Sequence, residues 1–236
     1  MNTNEARKMN TQSETKTENE ACPLDAIVNP PCNEVFLMDC MEGMKQYPDK
    51  FFDIAIVDPP YGNGTKADVG TGEYSRNWVK NRNGDWDIRP ADIYWQELRR
   101  VSKNQIVFGA NFFPLPPSRG YVCWYKTDEV KGRDFSEFEI AYTSFDKPAR
   151  IFECKPFIRG GKRIHPTQKP LKLYDWLIMN YAEDCETILD THVGSGSSRI
   201  AAHKAGKSFV GFEIDKDYHE AQEKRFKEFK KQLTLF

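Results

Sequence analysis

Apolar residues come in short runs separated by longer stretches in which they recur at helical spacing. The run Phe52-Asp53-Ile54-Ala55-Ile56-Val57 holds four consecutive apolar residues, which suits a strand covered on both faces, as in a parallel sheet. Strands are also predicted at Glu34–Asp39, Gln105–Phe108, Tyr121–Tyr125, Phe138–Thr143, Thr187–Asp190 and Ser208–Glu213. Helical stretches are predicted at Cys40–Tyr47, at Ile93–Val101 and behind Ser198, where Ile200, Ala201, Ala202 and Ala205 can lie close to a sheet. A further helix opens with Pro170 as its first residue and places Leu173, Leu177, Ile178 and Tyr181 on one face. The last helix is charged, with Tyr218, Ala221, Phe226 and Phe229 as its apolar face. This alternation predicts an α/β domain with a doubly wound, mostly parallel sheet.

Two segments break the pattern. Residues 1–20 are almost wholly polar, with only Met1, Ala6 and Met9 apolar. They predict a disordered tail, which we extend over residues 1–33 ahead of a domain spanning 34–231. Residues 62–90 carry Gly62, Gly64, Gly70, Gly72 and Gly84 among polar and basic residues, anchored by Trp78 and Trp86. So long a loop inside a compact domain is usually functional, and this one is expected to contact substrate.

Composition narrows the class. The chain has 236 residues and a net charge of −1, so affinity for nucleic acid must come from local clusters. Six scattered cysteines (Cys22, Cys32, Cys40, Cys123, Cys154, Cys185) form no C-x-x-C pair, and four histidines lack ligand spacing. Reduced thiols and no metal site are expected. No apolar run reaches membrane-spanning length and no signal-peptide core opens the chain. A cytoplasmic protein with no membrane partner is expected.

The predicted strand 52–57 runs directly into Asp58-Pro59-Pro60-Tyr61. Neither proline has an N–H and both fix φ, so this turn is stiff. It presents a carboxylate, a carbonyl and an aromatic face, which suits a flat ring bearing an exocyclic amino group. Asp58 and the Pro59 carbonyl can accept the two amino hydrogens, and Tyr61 can stack on the ring. A strand followed by a simple proline turn explains the tetrapeptide equally well by itself.

The second chemical region begins at Thr187. A strand ending in Asp190 leads through Thr191-His192-Val193-Gly194-Ser195-Gly196-Ser197 into a helix, and the next strand ends in Glu213, 19 positions after Gly194. Such a β-α-β unit lets a ligand approach the glycine backbone, with an acid on the ribose hydroxyls. The third glycine of a dinucleotide fingerprint is absent, because Arg199 stands there. Acids on both sides of the loop favour a nucleoside with a cationic amino-acid tail over a pyrophosphate, which a carboxylate would repel. That ligand is S-adenosylmethionine, with Asp190 for its ammonium and Glu213 for its ribose.

Between these regions, Lys147–Arg163 holds six basic residues against Glu153, with Gly160-Gly161 for backbone access. Lys155, Arg159, Lys162 and Arg163 are candidates for phosphate contacts within a short segment, 146–164, that is expected to help recognise the target. A solvated charged loop is the plainer alternative.

Three motifs in order, Asp58–Tyr61, His165-Pro166-Thr167-Gln168-Lys169-Pro170 and Asp190–Ser198 with Gly211-Phe212-Glu213, resemble those of the DNA amino-methyltransferases. The resemblance is to the circularly permuted type with the catalytic half first, and Ile188–Gly196 is most similar to a phage- and prophage-associated adenine-specific subgroup. It covers Glu34 to about Gln222. It implies one Rossmann-like methyltransferase domain with a DNA-contacting insertion. It also implies S-adenosylmethionine as methyl donor and a base flipped out of double-stranded DNA as target. Thr167, Gln168 and Lys169 are implied at the amino-acid end of the cofactor, and Asp39 near its adenine, although Asp39 also suits a helix cap. The family's usual Pro-Phe after the acid is Thr191-His192 here. Adenine N6 is the expected target because Asp58 heads the tetrapeptide; cytosine N4 is the alternative. RNA or protein-glutamine methylation and a non-catalytic DNA-binding module are the other readings. The closing Gln232-Leu233-Thr234-Leu235-Phe236 resembles peptides that dock on the bacterial sliding clamp, or else folds back on the core.

Overall fold

The computed structural model describes residues 32–62, 88–132, 136–156, 163–165 and 167–233. The expectations for residues 1–31 of the N-terminal tail, for most of the 62–90 loop, for Arg159 and Lys162, and for Thr234–Phe236 therefore lie outside the described residues. Cys32 is buried and Asn33 opens the first strand, so the expected tail does not extend to residue 33.

Eight strands form one sheet: β1 (Asn33–Leu37), β2 (Phe52–Val57), β3 (Ser102–Phe108), β4 (Tyr121–Tyr125), β5 (Phe138–Thr143), β6 (Arg150–Glu153), β7 (Thr187–Asp190) and β8 (Ser208–Glu213). Their spatial order is β1-β8-β7-β2-β3-β5-β4-β6. Every neighbouring pair is parallel except those made by β5, which runs against both β3 and β4. The helices are α1 (Cys40–Met44), α2 (Asp92–Val101), α3 (Leu171–Tyr181), α4 (Ser197–Lys204) and α5 (Lys216–Leu233). The fold is the α/β fold with a mostly parallel sheet that the sequence pattern predicts, and it is Rossmann-like, as the resemblance implies.

The core shows why β2 reads as an unbroken apolar run. Phe52, Ala55 and Val57 pack on one face with Tyr94, Trp95 and Leu98 of α2. Ile54 and Ile56 pack on the other with Leu173, Leu177 and Ile178 of α3. Each fully buried side chain of this kind contributes about 1.5–3 kcal/mol relative to exposure. At the amino ends of β2 and β7, Asp53 accepts from the Glu186 and Thr187 N–H groups at 2.8 and 3.1 Å and pairs with Lys103 at 2.7 Å.

Three expectations need correction. Pro170 is the N-cap of α3, with ψ 140°, so Leu171 is the first helical residue. Strand β3 begins at Ser102, three residues early, because Ser102 pairs with Phe52 and caps α2 by donating to the Leu98 carbonyl at 2.5 Å. The basic segment is not all loop: Arg150–Glu153 forms β6, the edge strand beside β4, where cross-strand hydrogen bonds outweigh its poor alternation.

Candidate active site

The chain turns in opposite directions from two adjacent strands. From β7 it passes through α4 to β8 on one side, and from β2 through α2 to β3 on the other. The crevice beyond the carboxyl ends of β2 and β7 is therefore the topological switch point, where open α/β sheets bind ligands. Asp58 follows β2, Asp190 ends β7 and Glu213 ends β8. Two sequence regions more than 130 positions apart are thus brought to one edge.

Asp58 is held on both oxygens. Its Oδ1 accepts from the Tyr61 hydroxyl at 2.8 Å, and its Oδ2 accepts from the ammonium of Lys169. The Tyr61 ring stacks on Phe112, with centroids 4.8 Å apart and planes at 15°, and meets Phe113 edge-on. Burial and the Asp58 charge push the Tyr61 phenol well above its ordinary range, so it stays a donor. Gly109, at φ 69°, underlies this ring, since a Cβ there would lie 2.3 Å from Tyr61 Cε1.

Lys169 is only 3% exposed, yet charged. Burial works to lower its pKa, but Asp58 and Glu139 outweigh it and raise the value. Glu139 Oε2 lies 3.3 Å from Lys169 Nζ, and Glu139 Oε1 pairs with Lys126 at 2.8 Å. Burial would raise Glu139, but the two ammonium groups hold it below its usual range. Sequence reasoning missed Glu139 and Lys126. The available signal was a carboxylate within the predicted strand 138–143, which must be paired if buried.

The glycine loop is built as expected. Gly194 and Gly196 have φ of 52° and 72°, a region that disfavours side-chain-bearing residues. Asp190 accepts from the His192 N–H at 3.0 Å and the Ser198 hydroxyl at 2.5 Å. Burial pushes its carboxyl up to about 7. Glu213 accepts from the Gly194 and Asp215 N–H groups at 2.8 and 2.9 Å. Each carboxyl retains lone pairs for a ligand. Arg225, also missed, donates to the Ser195 carbonyl at 2.6 Å and the Ser197 hydroxyl at 3.0 Å. Arg199, in place of the third glycine, bonds Asn33 of β1 and Gln222 and Glu223 of α5, so it is a structural clamp.

Thr191 and His192 form a relay with α2. Tyr94 Oη lies 2.7 Å from Thr191 Oγ1, which is 2.9 Å from His192 Nδ1. Burial pushes His192 down to about 4, so the ring is neutral at pH 7.

The remaining candidates are placed as follows. The His165 ring packs tilted against Tyr218, with centroids 4.2 Å apart and planes at 58°, and lies against Gly194, which brings the segment around Thr167 over the glycine loop. The Ser197 hydroxyl donates to the Lys169 carbonyl at 3.0 Å. Thr167 is exposed, with its hydroxyl 3.1 Å from His165 Nδ1, and Gln168 Oε1 accepts from the Ile164 N–H. Asp39 is the N-cap of α1, accepting from Met41 and Glu42. Lys155 and Arg163 are exposed. Among the described residues, no group of three or more His, Cys, Asp or Glu is arranged to hold a metal, and no helix is long and apolar enough to cross a membrane.

Comparison with known proteins agrees with this architecture. A family model described as DNA methylase matches residues 125–224. YubD of Escherichia coli (strain K12), which carries the name of a methylase, is 28% identical over 206 residues, covering 79% of this chain and 87% of that protein. The Type II methyltransferase M.HinfI of Haemophilus influenzae is 24% identical, covering 86% and 70%. Among solved structures, the M1.HpyAVI–SAM complex has a TM-score of 0.51 at 18% identity, covering 82% of this chain and 98% of that one. The cytosine-N4-specific PvuII DNA methyltransferase has a TM-score of 0.53 at 13% identity, covering 82% and 86%. At these identities the structural likeness is one of fold. The family model, the curated relatives and the order of the motifs agree in making this chain similar to N6/N4 DNA methylases.

Proposed function

We propose that the protein is a site-specific DNA methyltransferase that transfers a methyl group from S-adenosylmethionine to N6 of an adenine flipped out of duplex DNA. One observation carries this reading: the stiff Asp58–Tyr61 turn and the Asp190–Ser197 loop lie side by side at the switch point of the sheet. S-adenosylmethionine fits the donor set. Two carboxyls end adjoining strands around two left-handed glycines, and Arg225 is spent on the loop itself. Asp190 would hold the ammonium of the amino-acid end and Glu213 the ribose hydroxyls, with Thr191, His192, Ser195 and Ser197 around them. When bound, the cofactor supplies an electrophilic methyl on a cationic sulfur.

The chain's own part is to prepare the nucleophile. An exocyclic amine is a poor nucleophile because its lone pair is delocalised into the ring. Hydrogen bonds to Asp58 and the Pro59 carbonyl localise that pair and fix its direction. Tyr61, braced by Phe112 and Gly109, supplies a stacking surface for a base taken out of the helix. The Asp at the head of the turn supports adenine. The PvuII likeness keeps cytosine N4 as the second reading. Mass spectrometry of nucleosides from treated DNA decides: N6-methyladenine supports the proposal, and N4-methylcytosine reassigns the base.

The Asp190 carboxyl gives a pH prediction. A protonated Asp190 cannot pair with an ammonium, so binding must expel its proton, which lies near half occupancy at pH 7. S-adenosylmethionine binding should therefore tighten as pH rises from about 5.5 to 7, by up to about tenfold per unit. Calorimetry should show proton release, and Asp190→Asn should abolish the trend. A flat profile would remove Asp190 from the site.

Arg159 and Arg163 are proposed phosphate contacts. Replacing either with Ala should weaken DNA binding at all sequences and lower the slope of log K against log salt by about 1. An unchanged slope would place the DNA elsewhere.

A further inference from the structure

Lys126, just after β4, Glu139 of β5, Lys169 in the turn before α3 and Asp58 in the turn after β2 form an unbroken chain of alternating charge. Its two ends differ. Lys126 pins Glu139 Oε1 at 2.8 Å, so that carboxylate is fixed. Glu139 Oε2 is buried and accepts no hydrogen bond among the described residues, although Lys169 Nζ is 3.3 Å away. The ammonium sits closer to Asp58 Oδ2, an oxygen that the proposed reaction needs, than to Glu139 Oε2. An ammonium held between two carboxylates, closer to one than to the other, has a second position within a short shift.

We infer that Lys169 is a movable counter-ion, resting on Asp58 until the amino group of the target base arrives and then moving onto Glu139, which is its positioning residue. This inference rests on the amino-methyltransferase reading. The movement is small, from 3.3 Å to the roughly 2.8 Å of a charge-assisted hydrogen bond. The Phe108 ring, 4.6 Å from Nζ, supports the cation through the change. Charge is conserved: two ammonium and two carboxylate groups sum to zero before and after, and the entering base is neutral. Asp58 thus keeps a partner while empty and becomes a stronger acceptor only when a base replaces the ammonium. Tyr61 keeps its own hydrogen bond to the other oxygen throughout.

The charge count makes the test specific. Glu139→Gln leaves a net charge of +1 and removes the charge that draws Lys169 off Asp58, so kcat/KM for duplex DNA should fall about tenfold while S-adenosylmethionine affinity stays within twofold by calorimetry. Adding Lys169→Met restores neutrality and frees Asp58, so the double variant should regain at least about threefold in kcat/KM over Glu139→Gln alone. A loss of packing would not be repaired by a second buried substitution; a double variant no better than Glu139→Gln, or a Glu139→Gln with unchanged kcat/KM, overturns the inference. A crystal structure of the Asp58→Asn variant gives a readout independent of activity. Lys169 Nζ should be found at hydrogen-bond distance from Glu139 Oε2, and an ammonium that stays on residue 58 also overturns the inference. If wild-type protein methylates no DNA, the functional reading fails, and the crystal structure still decides whether Lys169 moves.

Discussion

Asp58→Ala should lower kcat for methyl transfer by about 10³-fold and leave S-adenosylmethionine binding within a few-fold of wild type. The fixed acceptor that localises the amine's lone pair is gone, and single preorganised groups of this kind are worth about 10²–10³ in rate. The cofactor loop is carried by β7 and β8, whose hydrogen bonds do not pass through Asp58. Stability should change less than rate. Removing one partner of a buried ion pair costs about 3–5 kcal/mol when the other charge is stranded. Lys169 is not stranded, because Glu139 lies 3.3 Å away, so a cost of about 1–3 kcal/mol is expected. Single-turnover kinetics and thermal unfolding of the same preparation separate the two effects. A variant that loses activity only in proportion to its folded fraction would make Asp58 a structural residue.

Gly109→Ala should be the most damaging change outside the proposed contact residues. The backbone there has φ 69°, which costs an L-residue about 1–2 kcal/mol. The new methyl would lie 2.3 Å from Cε1 and 2.7 Å from Cζ of Tyr61, and no real contact is that short. Tyr61 must leave, losing its stack on Phe112, worth about 0.5–1.5 kcal/mol, and its hydrogen bond to Asp58. Displacing a positioning group by about 1 Å costs roughly 10²-fold in rate, so we expect that loss of kcat with about 2–3 kcal/mol of stability. Gly109→Asn separates the causes. Asn tolerates the left-handed backbone but carries the same Cβ, so it should be nearly as inactive. An active Asn variant would mean that backbone strain, and not the Tyr61 contact, limits this site.

The sequence made the sheet legible because β2 and β8 are apolar on both faces and the helices carry one-sided stripes. Leu173, Leu177, Ile178 and Tyr181 are all buried on α3, as their spacing requires. The glycine loop was legible because few residues other than Gly occupy φ near 50–70° between a strand and a helix. The start of β3 and the edge strand β6 were not, since pairing with a neighbour fixes them more than their own residues do. The buried charge chain was also beyond reach. Lys169, in a motif whose resemblance implies a place at the cofactor, spends its ammonium on Asp58, 111 positions earlier. Glu139 and Lys126 sit in segments that no motif marks. Long-range pairing of charges is a property of the folded topology, and only the need to neutralise a carboxylate in a partly buried strand hints at it.

Transfer of a labelled methyl group from S-adenosylmethionine to unmethylated duplex DNA, by wild type and by Asp58→Ala, tests the central claim most directly. The account predicts label on the DNA with wild type, retained as a methylated amino group after digestion to nucleosides, and almost none with Asp58→Ala although that variant still binds the cofactor. Cofactor binding by both proteins with no label on DNA from either would contradict it.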